Sequence, residues 1–170
     1  MWIGSPLRGV FRLTSYLLVT LVLLPIYLLA LLLRIQPVIR WMPVAYHRLV
    51  CFILGIKVRV FGRQSPVTPT LFVCNHVSYL DIEVMGGLVP GSFVAKAEVA
   101  SWPWFSTLAK AQRTIFIERT SGKTSKSRDE MMRRLDTGDN LMLFPEGTSS
   151  DGTRVLPFRS ALFGVAQLRR

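Results

Sequence analysis

The chain has 170 residues, half of them apolar and only 18% charged, and its 21 Lys and Arg against 10 Asp and Glu give a formal charge of +11. That length holds about one domain, and the apolar share leans toward membrane association. The positive surplus favours anionic partners such as phospholipid head groups or phosphorylated cofactors, while nucleic acid is set aside because no recognition-module spacing accompanies the charge. Cys51 and Cys74 show no Cys-x-x-Cys and no zinc spacing, which excludes a disulfide framework and gives no metal site; both read as reduced thiols facing or inside the cytosol.

Residues 13–33 carry no charge, and as a helix these 21 residues would extend about 32 Å, enough for a bilayer core of about 30 Å. Arg8 and Arg12 precede the run and Arg34 and Arg40 follow it, so the positive-inside rule gives no orientation. The run is too long for a cleaved signal peptide, and no small-x-small cleavage site follows. Pro25 suggests a kink, which leaves open a full span or a bent segment that enters and leaves one leaflet. A second helix is expected over 38–54, ended by Gly55 and interrupted by Arg40, His47 and Arg48, which suits a membrane interface. His47 reads as a tip that reaches head groups or a neighbour. These helices make a membrane-associated segment over 1–55, and 56–170 a second, α/β domain.

In that domain, alternation predicts a strand over 57–61, closed by Gly62, and residues 65–69 read as a loop. A buried strand over 70–74 leads to a short helix over 78–85, ended by Gly86 and Gly87. Further strands fall at 92–95, 114–117 and 141–144. Pro103 opens a helix running to about Gln112. Residues 121–127 read as a flexible loop, and Ser127 with Glu130 forms a capping box for a helix to about Asp136. Residues 137–140 read as a turn. Strands alternating with helices make an α/β layer fold. Residues 158–170 look like the opening of an amphipathic helix with nothing after it to complete a sheet, so a C-terminal part is expected to be missing.

His76 and Asp81 follow the first buried strand of that domain. A histidine with an aspartate five residues on can be a base and its orienter, provided that His76 precedes the helix and bends back over its first turn. Spacing alone favours instead a helix start capped by Asn75 or Ser78, with His76 a loop residue and Asp81 a solvated first-turn acid. Glu146, Gly147 and Thr148 follow the 141–144 strand, where open α/β sheets place ligands. Lys96, Lys110, Arg113 and Arg119 flank the middle strands, and the Arg119 guanidinium suits a phosphate. Lys123, Lys126, Arg128, Arg133 and Arg134 read as a solvated face. Trp102, Trp104 and Phe105 fit an interfacial anchor or ordinary core packing equally.

In this order the pieces resemble the glycerolipid acyltransferase family that includes the 1-acyl-glycerol-3-phosphate acyltransferases. The resemblance is carried by Asn75-His76 through Asp81, by Val94-Ala95-Lys96, by 113–119, by 144–148 and by Pro157-Phe158-Arg159-Ser160. It implies a glycerolipid-acyltransferase-like sheet flanked by helices, with the N-terminal helices embedded in the cytosolic leaflet. It implies His76 as general base on a lysolipid hydroxyl, Asp81 as its orienter, Arg119 and Lys96 on an acceptor phosphate, and Glu146, Gly147 and Thr148 positioning the acceptor. The donor would be acyl-coenzyme A or acyl carrier protein, with no permanently bound cofactor and no covalent acyl-enzyme. The expected acceptor is 1-acyl-glycerol-3-phosphate, giving phosphatidate. The family commonly continues Glu-Gly-Thr with Arg-Ser, whereas this chain has Ser149-Ser150, and that departure leaves room for a lyso-ornithine lipid, whose head group has no phosphate. The family's fourth block, a proline-containing apolar strand, does not follow.

Overall fold

The structure, a computed structural model, describes residues 5–103, 105–118, 124–159 and 163. It divides into two compact units, one of Met1–Phe61 with Ile82–Pro90, the other of Gly62–Asp81 with Gly91–Arg170.

The first unit is built on helices α1 (Pro6–Leu32) and α2 (Gln36–Leu54). The Thr20 and Tyr46 hydroxyls meet at 2.8 Å, and the Tyr27 hydroxyl donates to the Ile39 carbonyl at 3.3 Å. As contacts on α1 move forward, their partners on α2 move back, so the pair is an antiparallel hairpin. Thr20, Tyr27 and Ala30 are buried in this seam, while Leu17, Leu18, Leu21 and Val22 on the remainder of α1 are exposed. Among the described helices α1 is long and apolar enough to cross a membrane, with mean hydropathy 2.4 in its most apolar window. α2 stops at Gly55, whose φ of 76° releases its N–H to Phe52 and the next to Cys51, satisfying the last turn.

Helix α3 (Leu80–Leu88) runs through both glycines expected to end it. Its Ile82–Leu88 part belongs to the first unit, and there α2 lies against it. His47 Nδ1 donates to Glu83 at 2.7 Å, and Arg48 Nε donates to the Gly87 carbonyl at 2.7 Å. A Cβ on Gly86 would sit 2.3 Å from His47 Cδ2, and one on Gly87 would sit 3.3 Å from Arg48 Cγ. These glycines therefore serve close helix approach rather than helix termination. Residues 57–61 form no strand: Val60 and Phe61 are exposed, Phe61 at 90%, and no described strand pairs with them. Alternation gave the segment a face, but a strand needs a neighbour's backbone as well.

The second unit holds a sheet of β1 (Leu71–Val73), β2 (Gly91–Lys96), β3 (Ile115–Ile117) and β4 (Asn140–Leu143) in the order β1-β4-β2-β3, all parallel. Parallel strands covered on both faces read as continuous apolar runs. Val94, Ile115, Ile117, Leu141 and Leu143 pack with Met131 and Leu135 of α5 (Thr124–Asp136), while Phe93 and Met142, one residue out of phase, are buried on the opposite face. α4 (Phe105–Ala111) follows a 3₁₀ turn, Ala97–Ser101; Trp102 and Phe105 beside it are more than half and half exposed, and Trp104 lies outside the described residues.

Two expectations about α5 change. The helix starts at Thr124, so Ser127 is an interior residue and not a cap, because a polar turn adds to a nucleated helix at little cost. Arg134 is not solvated. It is buried, donating to Ser92 Oγ at 3.0 Å and to the Arg113 carbonyl, with Asp139 Oδ2 at 3.3 Å. Burial pulls the Arg134 pKa down, Arg113 adds to this, and Asp139 opposes it. Arg113 itself pairs with Asp139, so both arginines tie α5 and its following turn to the amino ends of the strands.

Candidate active site

The carboxyl ends of parallel strands share one rim, where open α/β sheets bind ligands. β1 and β4 are neighbours, with Val73 opposite Leu143. Each chain then runs three residues further, one to His76 and the other to Glu146. Equal offsets from a parallel register bring the two blocks together although they lie 70 residues apart: the His76 N–H donates to Glu146 Oε2 at 3.0 Å.

His76 precedes α3 and Asp81 sits in its first turn, so the ring can bend back over the helix start. His76 Nδ1 lies 2.9 Å from Asp81 Oδ2, which also accepts the N–H groups of Val77 at 2.7 Å and Ser78 at 3.0 Å. An ionised carboxylate only accepts, so Nδ1 carries the hydrogen and Nε2 keeps its lone pair. The positive end of the helix N-terminus lies beside the Asp81 carboxylate. Ser78 also does the job that spacing allowed it, its hydroxyl accepting the Leu80 N–H at 3.2 Å. Base geometry and helix capping are thus both present.

Three further contacts fix His76. Its ring stacks on Phe144 with centroids 4.4 Å apart and planes 25° apart, and Phe144 continues toward Phe93 at 6.3 Å. Its carbonyl accepts the Ser150 N–H at 2.8 Å. Its N–H is held by Glu146, which is 3% exposed and whose Oε1 accepts the Leu156 N–H at 2.9 Å. The His76 and Asp81 side chains remain 19% and 29% exposed. Among the described residues, the His76 N–H, carbonyl, Nδ1 and ring face all have partners.

Gly147 turns the chain after Glu146, with φ of 76° and its N–H directed to the Phe144 carbonyl at 3.3 Å, a conformation that side chains disfavour. Thr148 follows, exposed. Lys96 closes β2 at the same rim, opposite Ile117 of β3. Arg119, assigned to a phosphate, lies outside the described residues. Cys74 is two residues before His76 and half-buried; burial pushes its thiol pKa up and the Asp81 charge pushes it further, the reverse of an activated nucleophile. The brace roles of Phe144, Ser150 and Leu156 had no signature in the sequence. The His76–Glu146 contact follows from the β1–β4 register, which no local sequence pattern announces.

A histidine held through Nδ1 by a carboxylate at the rim of a parallel sheet is an arrangement that can accept a proton. The family model for Acyltransferase matches residues 57–169, and the chain belongs to that family. It is 41% identical over 166 residues to the lyso-ornithine lipid O-acyltransferase of Rhizobium meliloti (strain 1021), covering 97% of this chain and 55% of the relative. It is 46% identical over 128 residues to the protein of the same name from Brucella abortus (strain 2308), covering 75% and 48%. It is 38% identical over 116 residues to the 1-acyl-sn-glycerol-3-phosphate acyltransferase of Neisseria gonorrhoeae, covering 66% and 44%. The chain thus spans about half the length of the curated relatives it matches. The crystal structure of the 1-acyl-sn-glycerophosphate acyltransferase PlsC from Thermotoga maritima has a similar fold, with a TM-score of 0.60 at 22% identity, covering 91% of this chain and 70% of that one.

Proposed function

We propose that this chain carries the catalytic base of a membrane-associated lysolipid O-acyltransferase. The observation that carries the reading is the 2.9 Å contact between His76 Nδ1 and Asp81 Oδ2, on a histidine whose side chain is 19% exposed. His76 Nε2 takes the proton of the acceptor hydroxyl as its oxygen attacks the thioester carbonyl of acyl-coenzyme A or acyl carrier protein. The tetrahedral intermediate collapses, the C–S bond breaks, and the departing thiolate takes the proton back from the imidazolium. The products are an ester and a free thiol, and the base is regenerated. Asp81 offsets the charge that the ring gains in between. The acceptor oxygen is itself the nucleophile, so no residue is acylated. Lys96, Gly147 and Thr148, at or beyond strand ends on the same rim, are the groups we assign to the acceptor, with Arg119 next along the chain after β3. The apolar α1 would keep lysolipid and product in the membrane at its cytoplasmic face.

We place lyso-ornithine lipid ahead of 1-acyl-glycerol-3-phosphate as acceptor, the reverse of the sequence expectation. Two facts favour that order: Ser149-Ser150 stands where an arginine is common after Glu-Gly-Thr, and relatives that match 97% and 75% of this chain carry the lyso-ornithine name. The phosphate acceptor stays as the second reading because a relative of that name matches too. Thiol release from acyl-coenzyme A and acyl carrier protein, with the two lysolipids offered separately and then together, tests the order. Faster turnover of lyso-ornithine lipid is expected; preference for lysophosphatidate would reverse it.

A further inference from the structure

We propose that Glu146 is a positioning residue for His76 and not a contact for the acceptor, a proposal that rests on the reading of His76 as base. Its carboxylate is 3% exposed, and each oxygen is occupied, one by the His76 N–H at 3.0 Å and one by the Leu156 N–H at 2.9 Å. A buried carboxylate needs hydrogen-bond donors, and here both donors are main chain from distant parts of the sequence. The side chain therefore joins the loop after β1 to the segment ending at Leu156. Ser150 secures the same two stretches from the other side, its N–H on the His76 carbonyl at 2.8 Å. Together the two contacts clamp the His76 peptide units at both ends, which sets the direction of Cα–Cβ and so the line from Nδ1 to Asp81.

The shared register explains why this must be an acid. The two N–H groups converge on the tip of one side chain, and only a group with two acceptor atoms and no donor satisfies both. Glutamine has the same shape, but whichever way its amide turns, its NH₂ faces one of the N–H donors. Aspartate is shorter by one methylene and cannot span the gap without moving one loop. A residue built to hydrogen-bond an acceptor hydroxyl would instead present an oxygen to the open rim.

The test compares Glu146→Gln and Leu156→Pro with the parent protein; the second removes the far donor while leaving the carboxylate and His76 intact. Steady-state thiol release gives kcat and the acceptor KM, and proton–nitrogen NMR of the histidine rings follows the His76 Nδ1–H held by Asp81. Glu146→Gln is expected to lower kcat about 10²-fold, as for a reacting group displaced by about 1 Å, with the acceptor KM within about threefold of the parent. The His76 Nδ1–H signal should shift or broaden, and Leu156→Pro should move kcat and the signal the same way by less. A raised acceptor KM with kcat preserved would make Glu146 an acceptor contact and overturn the proposal, as would a His76 signal unchanged in both variants. If the parent releases thiol with no lysolipid, it is the acyl-transfer reading that fails, and the ring signal alone decides the brace.

Discussion

Both histidines of the chain face a carboxylate through Nδ1, His47 toward Glu83 and His76 toward Asp81. What separates them is access. His47 is 2% exposed and its pairing docks one helix on another, whereas the His76 side chain is 19% exposed beside a rim that can take a ligand. Cys74 gives the same lesson for nucleophiles. Its place two residues before the base suggests a thiol–imidazole pair, yet burial and the Asp81 charge both raise its pKa and keep it a neutral thiol. Cys74→Ala is therefore expected to keep kcat within about threefold of the parent and to form no thioester adduct detectable by mass spectrometry in either protein. Loss of turnover beyond about 10²-fold, with an acyl adduct on Cys74 in the parent, would point to covalent catalysis instead.

At the scale of elements, two glycines show how a local rule yields to packing. Gly86 and Gly87 look like a helix stop, and in isolation they would weaken one. The structure continues α3 through them because α2 comes too close for a side chain, with His47 over Gly86 and Arg48 beside Gly87. Gly86→Ala should destabilise the protein by about 1–3 kcal/mol through overpacking, in spite of the better helix propensity of alanine. A thermal melt in detergent reads it, and an unchanged or higher midpoint would contradict the packing assigned here. The strand expected over 57–61 failed for the complementary reason: alternation was real, but pairing depends on a distant backbone that no local pattern announces. Arg134 failed because charge was read as exposure, when Ser92, Asp139 and the Arg113 carbonyl give it a buried seat. The strands at 71–73, 91–96, 115–117 and 140–143 were legible because each is built around a short apolar run, as is usual for parallel strands.

Over the whole molecule, the legible part of the site was the part whose chemistry is local. His76 and Asp81 lie within one strand-loop-helix passage, so spacing, helix start and ordered family blocks could all bear on them. Glu146 was legible as a position, but its hydrogen bonds were not, because its partners are main-chain amides brought to it by the β1–β4 register and by the segment at Leu156. Composition gave the setting: an apolar α1 and a charge of +11 suit contact with a membrane that carries anionic head groups. The central claim is that His76, oriented by Asp81, deprotonates a lysolipid hydroxyl. It is tested most directly by thiol release with lyso-ornithine lipid or lysophosphatidate for the parent, His76→Ala and Asp81→Asn. The account predicts a loss of about 10²–10⁴-fold in kcat for His76→Ala, and a substantial loss for Asp81→Asn, each with acceptor KM little changed. Turnover by His76→Ala equal to that of the parent would contradict it.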